Sequence, residues 1–213
     1  PAEGQITLFG TETIATDPTH ARRVANGLTR LGPMVRERVM TGFLSTEEEK
    51  DLILLRFARR CFDEGPRAVQ MLGDPDVHAA FVLERNVNNE VCRFIEFIRF
   101  EEKDGMLGSV IHPKNNVLPL LRGHFCSRLP DEDFLIFDAA HGTALLRQSG
   151  HVQYLAMEHY EPARDADELN WQALWKRFFH ALTIEERRNA KAQMSHAPKR
   201  FWGGMVEMRE PYI

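Results

Sequence analysis

The chain has 213 residues, of which 43% are hydrophobic and 27% are charged. This composition is in the range of globular proteins and excludes a wholly disordered chain. The 27 Lys and Arg against 31 Asp and Glu give a net charge of −4. That balance argues against a protein that coats nucleic acid through bulk charge, but it leaves room for a local basic patch.

No apolar run approaches the roughly 18 residues that a membrane span needs, and no segment resembles a signal peptide. We therefore expect a cytoplasmic protein with no membrane partner. The three cysteines, Cys61, Cys92 and Cys126, form no CxxC pair. They predict no disulfide framework and cannot by themselves ligate an iron–sulfur cluster, so we predict no cofactor and no metal. A strand-like run, Gln5–Phe9, follows Pro1 almost at once, and we expect that a segment before Pro1 is missing.

Residues 1–91 are predicted to be mainly helical. Asp17-Pro18 is typical of a helix start and Gly32-Pro33 of its end, and a second helix is expected over Met34–Phe43. Residues 45–48 resemble a capping box, which predicts a long third helix that ends at Gly65-Pro66. The buried face of this helix is predicted to comprise Leu52, Leu55, Ala58, Arg59 and Phe62. A fourth helix is predicted to run from residues 74–75 to about residue 90.

Residues 92–160 are predicted to form the sheet. Apolar side chains alternate over Cys92–Gly105, which is typical of a strand, and Asp104-Gly105 predicts a hairpin into the next strand at Met106. One crossover helix is expected from Asn116 onward. Three short strands follow it, DFLIFD, TALLRQ and VQYLAM. About five strands joined mostly by tight turns predict a largely antiparallel sheet.

Residues 161–213 are predicted to form a helical cap. One helix is expected over Asp165–Leu182, and Thr183–Glu186 predicts the start of another. The inner face of the first is predicted to carry Leu169, Leu174, Trp175, Phe178 and Phe179. The sequence thus predicts a single α+β domain, in which an N-terminal helical layer and this cap flank the sheet.

Four stretches resemble, in this order, a bacterial family of unknown function: RFIEFIRFEEKDG, IHPKNNVLPLLRGHFCSRLP, DFLIFDAAHG and LWKRFFHALTIEERRNAKAQMSHAPKRFWGGMVE. The resemblance extends from about Leu8 to Glu207. The family is described in terms of DNA metabolism and DNA repair, without an established reaction. Some members are fused to a uracil-DNA-glycosylase-like domain, and their genes commonly lie beside one for a radical-SAM protein. The resemblance therefore implies an association with DNA, and a radical-SAM or uracil-DNA-glycosylase-like partner.

The first candidate site is His112-Pro113 with Asn115, between a predicted strand and a predicted helix. Backbone N–H groups at such a junction can bind phosphate, and His beside Asn can supply donors to a base or an oxyanion. The alternative is a proline-fixed turn in which Asn caps the helix. The second candidate is His124 with Arg128, on one helix face, where Arg128 can clamp a phosphate or merely close the helix end.

The third candidate is Asp138, at the exit of a strand, with His141. An acid there can orient a catalytic histidine, or it can simply form a turn. His112, His124, Asp138 and His141 are all possible metal ligands, but their spacing matches no metal signature. A further carboxylate, Glu96, is expected on the aromatic face of the first strand if the alternation holds, where desolvation would favour acid–base use. In the other register it faces water.

The fourth candidate is the stretch ERRNAKAQMSHAPKRFW, which holds five cations against one acid. Its cations can follow phosphates while Trp202 stacks on an unpaired base. The alternative is a solvated helix with Trp202 in the core. A second basic run, Arg22, Arg23, Arg30, Arg36 and Arg38, can extend the same surface. The predicted nucleic-acid-binding residues are Arg128, Arg187, Arg188, Lys191, Lys199, Arg200 and Trp202.

The leading hypothesis is a DNA metabolism or repair protein that binds nucleic acid and either processes it or presents it to a partner enzyme. One alternative is a non-catalytic accessory subunit of a radical-SAM enzyme. The other is a free-standing hydrolase or glycosylase that uses His112, Asp138 and His141. The residues alone do not decide whether the protein is an enzyme.

Overall fold

The computed structural model describes residues 15–162 and 166–208, so the predicted strand Gln5–Phe9 lies outside the described residues. The helices are α1 (Pro18–Leu31), α2 (Pro33–Phe43), α3 (Lys50–Glu64), α4 (Pro75–Phe97), α5 (Leu118–Arg128), α6 (Ala166–Leu182) and α7 (Ala190–His196). The strands are β1 (Glu101–Lys103), β2 (Met106–Ile111), β3 (Asp133–Asp138), β4 (Thr143–Gln148) and β5 (His151–Ala156). This order confirms the predicted α+β fold, with helices before and after a five-stranded sheet in the chain. None of the helices in the described ranges is long and apolar enough to cross a membrane.

Helices α1 to α4 form the N-terminal layer. The start of α1 is as predicted, because the Asp17 carboxylate accepts hydrogen bonds from the N–H groups of Thr19 and His20. A separate hydrophobic core holds this layer together. It is built from Leu28, Val35, Leu54, Phe57, Cys61, Ala68, Val69, Val77, Ala80 and Leu83.

One cation of the second basic run belongs to this core instead of the surface. Arg38 is buried, and its Nε donates to Glu84 Oε2 at 2.7 Å. Its guanidinium also lies 5.5 Å from the Phe57 ring centroid and 5.4 Å from that of Phe81. The expectation that Arg38 extends a nucleic-acid-binding surface is therefore wrong.

The predicted buried face of α3 is also wrong. The helix begins at Lys50, after the capping-box-like residues, and it buries Leu54, Phe57 and Cys61. Leu52, Leu55 and Phe62 are exposed. The apolar residues of this helix surround most of its circumference, so the hydrophobic pattern fits more than one face and contacts with α2 and α4 decide which is buried.

Helix α4 is longer than predicted, because residues 92–97 continue it instead of starting a strand. Val87, Val91 and Phe94 keep the helical spacing and are all buried. Ile95 and Phe97 are half-buried against the same core, so apolar residues occur on several sides of the last two turns and imitate an alternating pattern. Glu96 is consequently on the exposed side of a helix, 3.1 Å from Arg93, so of the two alternatives for this carboxylate the one in which it faces water is confirmed.

The sheet has the order β1-β2-β3-β4-β5. Three of its four pairings are antiparallel and β2 pairs with β3 in parallel, which confirms a largely antiparallel sheet. The predicted hairpin is present: Asp104 and Gly105 have φ of 53° and 76°, the left-handed values that a type I′ turn needs. Helices α4 and α5 cover one face of the sheet, and Phe134, Ile136 and Leu145 pack against them.

The C-terminal cap departs most from the prediction. Helix α6 has no buried residue among those described, so its predicted inner face is wrong. The stretch after Thr183 forms only a 3₁₀ turn, Glu185–Arg187, and then α7, whose N-terminus is capped by Asn189. Two further 3₁₀ turns, Lys199–Gly204 and Val206–Met208, return the chain to the core through Phe201 and Met205.

Candidate functional site

The parallel pair β2 and β3 determines where the candidate residues meet. Both strands end at the same edge, since Ile111 pairs with Asp138 and the Ala139 N–H donates to the Ile111 carbonyl at 3.0 Å. The loop after β2 and the turn after β3 therefore lie side by side. This carboxyl edge carries four of the five predicted catalytic positions, His112, Asn115, Asp138 and His141. Ligands commonly bind at such an edge next to a crossover connection.

Glu90 of α4 holds the loop after β2 in place. Its side chain is only 3% exposed. One carboxylate oxygen accepts the Lys114 N–H at 2.9 Å, and the other accepts both the N–H and the side-chain amide of Asn115 at 2.8 Å. The Asn115 amide oxygen in turn accepts the Thr46 N–H at 3.2 Å. Asn115 is thus a buried structural link between α4, the loop and the start of the α2–α3 connection.

Arg200 brings the C-terminal cap to the same carboxylate. Its guanidinium lies 3.3 Å from Glu90 Oε1, and it also packs 4.7 Å from the centroid of the Phe201 ring. Phe201 is buried and contacts Phe94 and Phe97 of α4, with ring centroids 5.0 and 5.5 Å apart. A cation far along the chain is therefore fixed beside the predicted His112–Asn115 loop.

A polar cavity of about 600 Å³, called here the polar groove, opens where these elements meet. Asn86, Asn89 and Arg93 of α4 line it, together with Lys114, Pro198 and Arg200. Glu47, Glu90 and Glu96 line it as well, so three acids balance its three cations. Arg93 is paired with Glu96 and Arg200 with Glu90, whereas Lys114 is exposed at the loop. The groove is rich in hydrogen-bond donors but is close to neutral.

His112 faces a different cavity. This cavity, of about 270 Å³, is lined by His112, Arg99, Glu101 and Ser109, and it shares Arg200 and Phe201 with the polar groove. Glu101 and Ser109 are buried, and His112 is exposed. His112 therefore lies on the carboxyl edge without joining Asp138 and His141 in one cavity.

Asp138 and His141 form a hydrogen-bonded pair. Asp138 Oδ2 and His141 Nδ1 are 2.7 Å apart, while Asp138 Oδ1 accepts the N–H groups of Ala140 and His141 at 3.0 and 3.1 Å. Burial raises the pKa of the Asp138 carboxyl, and the hydrogen bonds and charge of His141 act in the opposite direction. The two predicted uses of Asp138, forming the turn and orienting the histidine, occur together. Whether His141 acts on a substrate stays a prediction.

The basic segment, residues 187–200, contains no Asp or Glu. Its cations, Arg187, Arg188, Lys191, Lys199 and Arg200, are all exposed. The segment is joined to α4 by Arg93, which donates to the His196 carbonyl at 2.9 Å. Trp202 follows it, half-buried, with its Nε1–H bonded to the Ala197 carbonyl at 2.8 Å and Lys199 Nζ 5.8 Å from the centroid of its ring. The exposed cations of this segment are called here the rim, and one of them, Arg200, lines the polar groove.

A family model for DUF4130, a domain of unknown function, matches residues 48–207 of this chain. The chain belongs to this family. The matched part includes α4, the sheet, the carboxyl edge and the basic segment, so every element of the candidate site except residues 45–47 lies within the DUF4130 domain. Helices α1 and α2 precede the match, which starts later than the predicted resemblance at Leu8. Searches of curated proteins and of solved structures found no match.

Two predicted residues of this DUF4130 chain lie apart from the carboxyl edge. Helix α5 begins after β2 at that edge and returns toward the start of β3, so Arg128 in its last turn is at the far end of the sheet. Arg128 is exposed there. His124 is half-buried, edge-on to Phe125 with ring centroids 5.0 Å apart. The structure does not bring either residue to the polar groove or to Asp138.

The DUF4130 fold also contains a site residue whose role the sequence analysis missed. The predicted fourth helix ends at about residue 90, whereas Glu90 lies within α4 as a carboxylate on its apolar face, between the buried Val87, Val91 and Phe94. A single acid at helical spacing among core residues is a readable signal, because a buried charge needs several hydrogen-bonding partners. No three His, Cys, Asp or Glu side chains in the described part of the chain are grouped to hold a metal ion.

The raised pKa of Asp138 predicts how the stability of the DUF4130 chain depends on pH. The unfolded chain ionises this carboxyl near the ordinary value of about 3.9, while the folded chain still holds the proton. The contribution of Asp138 to the unfolding free energy is therefore full below that value and is lost as pH rises through the raised folded pKa. We expect the stability of the wild type relative to Asp138→Asn to fall as pH rises from below the ordinary aspartate value through the raised folded pKa.

Chemical denaturation of both proteins across this range measures the effect. The same comparison in a His141→Gln background is the matched control, because it removes the opposing hydrogen bond. The fall in relative stability with pH should then be larger. A relative stability that instead increases with pH would show that His141 outweighs burial and lowers the pKa of Asp138.

Proposed function

We propose that this DUF4130 protein acts in DNA metabolism by binding a nucleic-acid strand along the basic segment and the polar groove, and by processing it or presenting it to a partner enzyme. The observation that carries the proposal is the position of Arg200. It belongs to the basic segment and also lines the polar groove, beside Glu90 and the His112–Asn115 loop. Two elements predicted separately to contact nucleic acid therefore share one surface.

The charges support a strand that lies along the rim instead of deep in the groove. The rim cations have no acidic residue between them in the chain, whereas the groove itself balances three cations with three acids. Phosphates bind the exposed cations of a surface like this, and neutral donors such as Asn86 and Asn89 can contact sugars or base edges. The partner that the family resemblance implies, a radical-SAM or uracil-DNA-glycosylase-like protein, would receive the strand presented in this way.

Removing three rim cations tests the proposal. We expect the wild type to bind single-stranded DNA at about 50 mM salt with an affinity that falls as salt rises. Affinity should fall less steeply with salt in the triple variant Arg187→Gln, Arg188→Gln and Lys191→Gln. The magnitude of the slope of log affinity against log salt should decrease by about 2, because each phosphate contact with a single strand contributes about 0.7. Fluorescence anisotropy of a labelled oligonucleotide measures both quantities.

A triple variant on the N-terminal layer provides the matched control. Arg56→Gln, Arg59→Gln and Arg85→Gln remove the same charge from exposed positions of α3 and α4. This control should keep the wild-type slope. Equal losses in the two triple variants would mean that only net charge matters, and absent or salt-independent binding by the wild type would refute the proposal.

A second candidate function, an accessory subunit of a radical-SAM enzyme, is favoured by the exposed face of α6. Trp171 is 67% exposed, and Leu169, Leu174, Phe178 and Leu182 of the same helix are all more than half exposed. Apolar patches of this kind commonly mark protein interfaces. Co-purification with the neighbouring radical-SAM protein tests this candidate, which fails if that enzyme behaves identically with and without this chain.

A further inference from the structure

A third cavity, of about 370 Å³, lies next to the polar groove and is called here the Phe43 pocket. Asn116 and Leu44 line it, while their neighbours Asn115 and Ser45 line the groove. A single backbone hydrogen bond, from the Asn116 N–H to the Leu44 carbonyl at 2.9 Å, runs between the two cavities. Residues 44–45 and 115–116 therefore lie between the groove and this pocket.

The walls of the pocket are aromatic and aliphatic. They include Phe43 at the end of α2, Tyr154 of β5, and Leu118 and Pro119 at the start of α5. Phe43 is 58% exposed and Tyr154 is 44% exposed, so both rings offer apolar surface to solvent. Lys50 fixes the Phe43 side of the pocket, since its ammonium bonds to the Phe43 and Ser45 carbonyls at 3.0 and 2.7 Å.

A few polar groups line the same cavity. Asn116 and Thr143 are half-buried, and Asp138, paired with His141, lies fully buried at its inner side. Burial raises the pKa of the Tyr154 hydroxyl, although the nearby Arg122 guanidinium acts in the opposite direction. The hydroxyl therefore keeps its proton at neutral pH. Mostly apolar walls with a few placed donors and acceptors, at this volume, are typical of a pocket for a small ligand.

We infer that the Phe43 pocket receives one unpaired nucleobase of the bound strand, stacked against Phe43 or Tyr154 and hydrogen-bonded by Asn116. This inference rests on the proposed nucleic-acid binding. The rim cations contact phosphates, and the pocket contacts a base, which the rim cannot recognise. Aromatic rings contact bases of any sequence, and an amide that can both donate and accept matches the edge of a base. Paired bases stay inside a duplex, so the pocket favours single strands.

Two oligonucleotides of equal charge separate base binding from phosphate binding. One is a thymidine strand of about 12 nucleotides, and the other is an abasic strand of the same length. We expect the wild type to bind the thymidine strand about tenfold more tightly or better. The double variant Phe43→Ala with Tyr154→Ala should weaken thymidine binding by about 5-fold to 150-fold, the range for loss of one stacked base, and should leave abasic binding unchanged.

Phe62→Ala is the matched control, because it removes an aromatic ring that is 51% exposed on α3, away from the pocket. It should bind both strands like the wild type, and circular dichroism should show all variants folded. If the wild type binds both strands equally, or if the double variant loses affinity for both strands alike, the base pocket is wrong while nucleic-acid binding stands. If neither strand binds in a salt-dependent way, the proposed function fails and the pocket inference fails with it.

Discussion

Replacing Glu90 with alanine is expected to lower the free energy of unfolding by about 2 to 6 kcal/mol, because two buried donors of Asn115 lose their acceptor at about 1 to 3 kcal/mol each. The change removes the acceptor for the N–H groups of Lys114 and Asn115 and for the Asn115 amide, and it leaves Arg200 without its carboxylate. Buried donors left without a partner lose their hydration without replacement. Because the same contacts position the loop and the basic segment, DNA affinity should fall together with stability.

Urea unfolding of Glu90→Ala and of Glu96→Ala measures this effect against a matched control. Glu96 lies on the same helix, but its side chain is 52% exposed and it pairs only with Arg93 at the surface. Its loss should cost less than about 1 kcal/mol. Equal, small losses in the two variants would mean that Glu90 does not organise the site.

Replacing Phe201 with alanine is expected to cost about 3 to 5 kcal/mol, the usual range for a buried phenylalanine. Phe201 fills the space between Phe94 and Phe97, and through it the end of the basic segment is attached to α4. Without this ring, Arg200 loses its packing partner beside Glu90. The loss should therefore affect the C-terminal cap more than the helices α1 to α3.

Hydrogen–deuterium exchange of the Phe201→Ala variant provides the measurement, with Phe178→Ala as the control for an exposed aromatic residue in the neighbouring helix. Exchange should become faster in residues 187–208 of Phe201→Ala and should be unchanged in Phe178→Ala, whose stability should stay within about 0.5 kcal/mol of the wild type. Unchanged exchange in the cap of Phe201→Ala would show that other contacts attach the basic segment.

The parts of the fold that could be predicted from the sequence are those with local signals. Asp17-Pro18 starts α1, Asp104-Gly105 makes the hairpin, and tight turns bound β3 and β4 with the predicted limits. Each depends on the conformation of a few neighbouring residues, such as the left-handed values at a type I′ turn. Predictions from the hydrophobic period were wrong where apolar residues occur on several sides of one helix, as at the end of α4 and in α3.

The predicted inner face of helix α6 was wrong for a different reason. Its aromatic residues have the spacing of a core-facing helix, yet the described part of the chain buries none of them fully. Periodicity predicts that an apolar face exists, but it cannot say what lies against that face. The same limit applies to the exposed apolar surface of α6, because its pattern does not say which molecule covers it.

The candidate site was predicted in its parts but not in its arrangement. Asp138 and His141 are three residues apart and could be paired from the sequence, whereas Glu90 and Arg200 are joined only by the tertiary fold. The parallel pairing of β2 and β3 places His112 and Asp138 on one edge, and side-chain direction then sends them to different cavities. Contacts of this kind follow from packing and have no local pattern in the chain.

Cross-linking is the measurement that tests most directly whether one surface of this protein binds nucleic acid. A 4-thiothymidine strand of about 12 nucleotides, bound at about 50 mM salt and activated by light, marks the residues that it touches, and mass spectrometry locates them. The account predicts adducts on Lys114, on the basic segment and on Trp202, with a further adduct on Phe43 or Tyr154. Adducts confined to α1, α3 or α6, or scattered evenly over the surface, would contradict it.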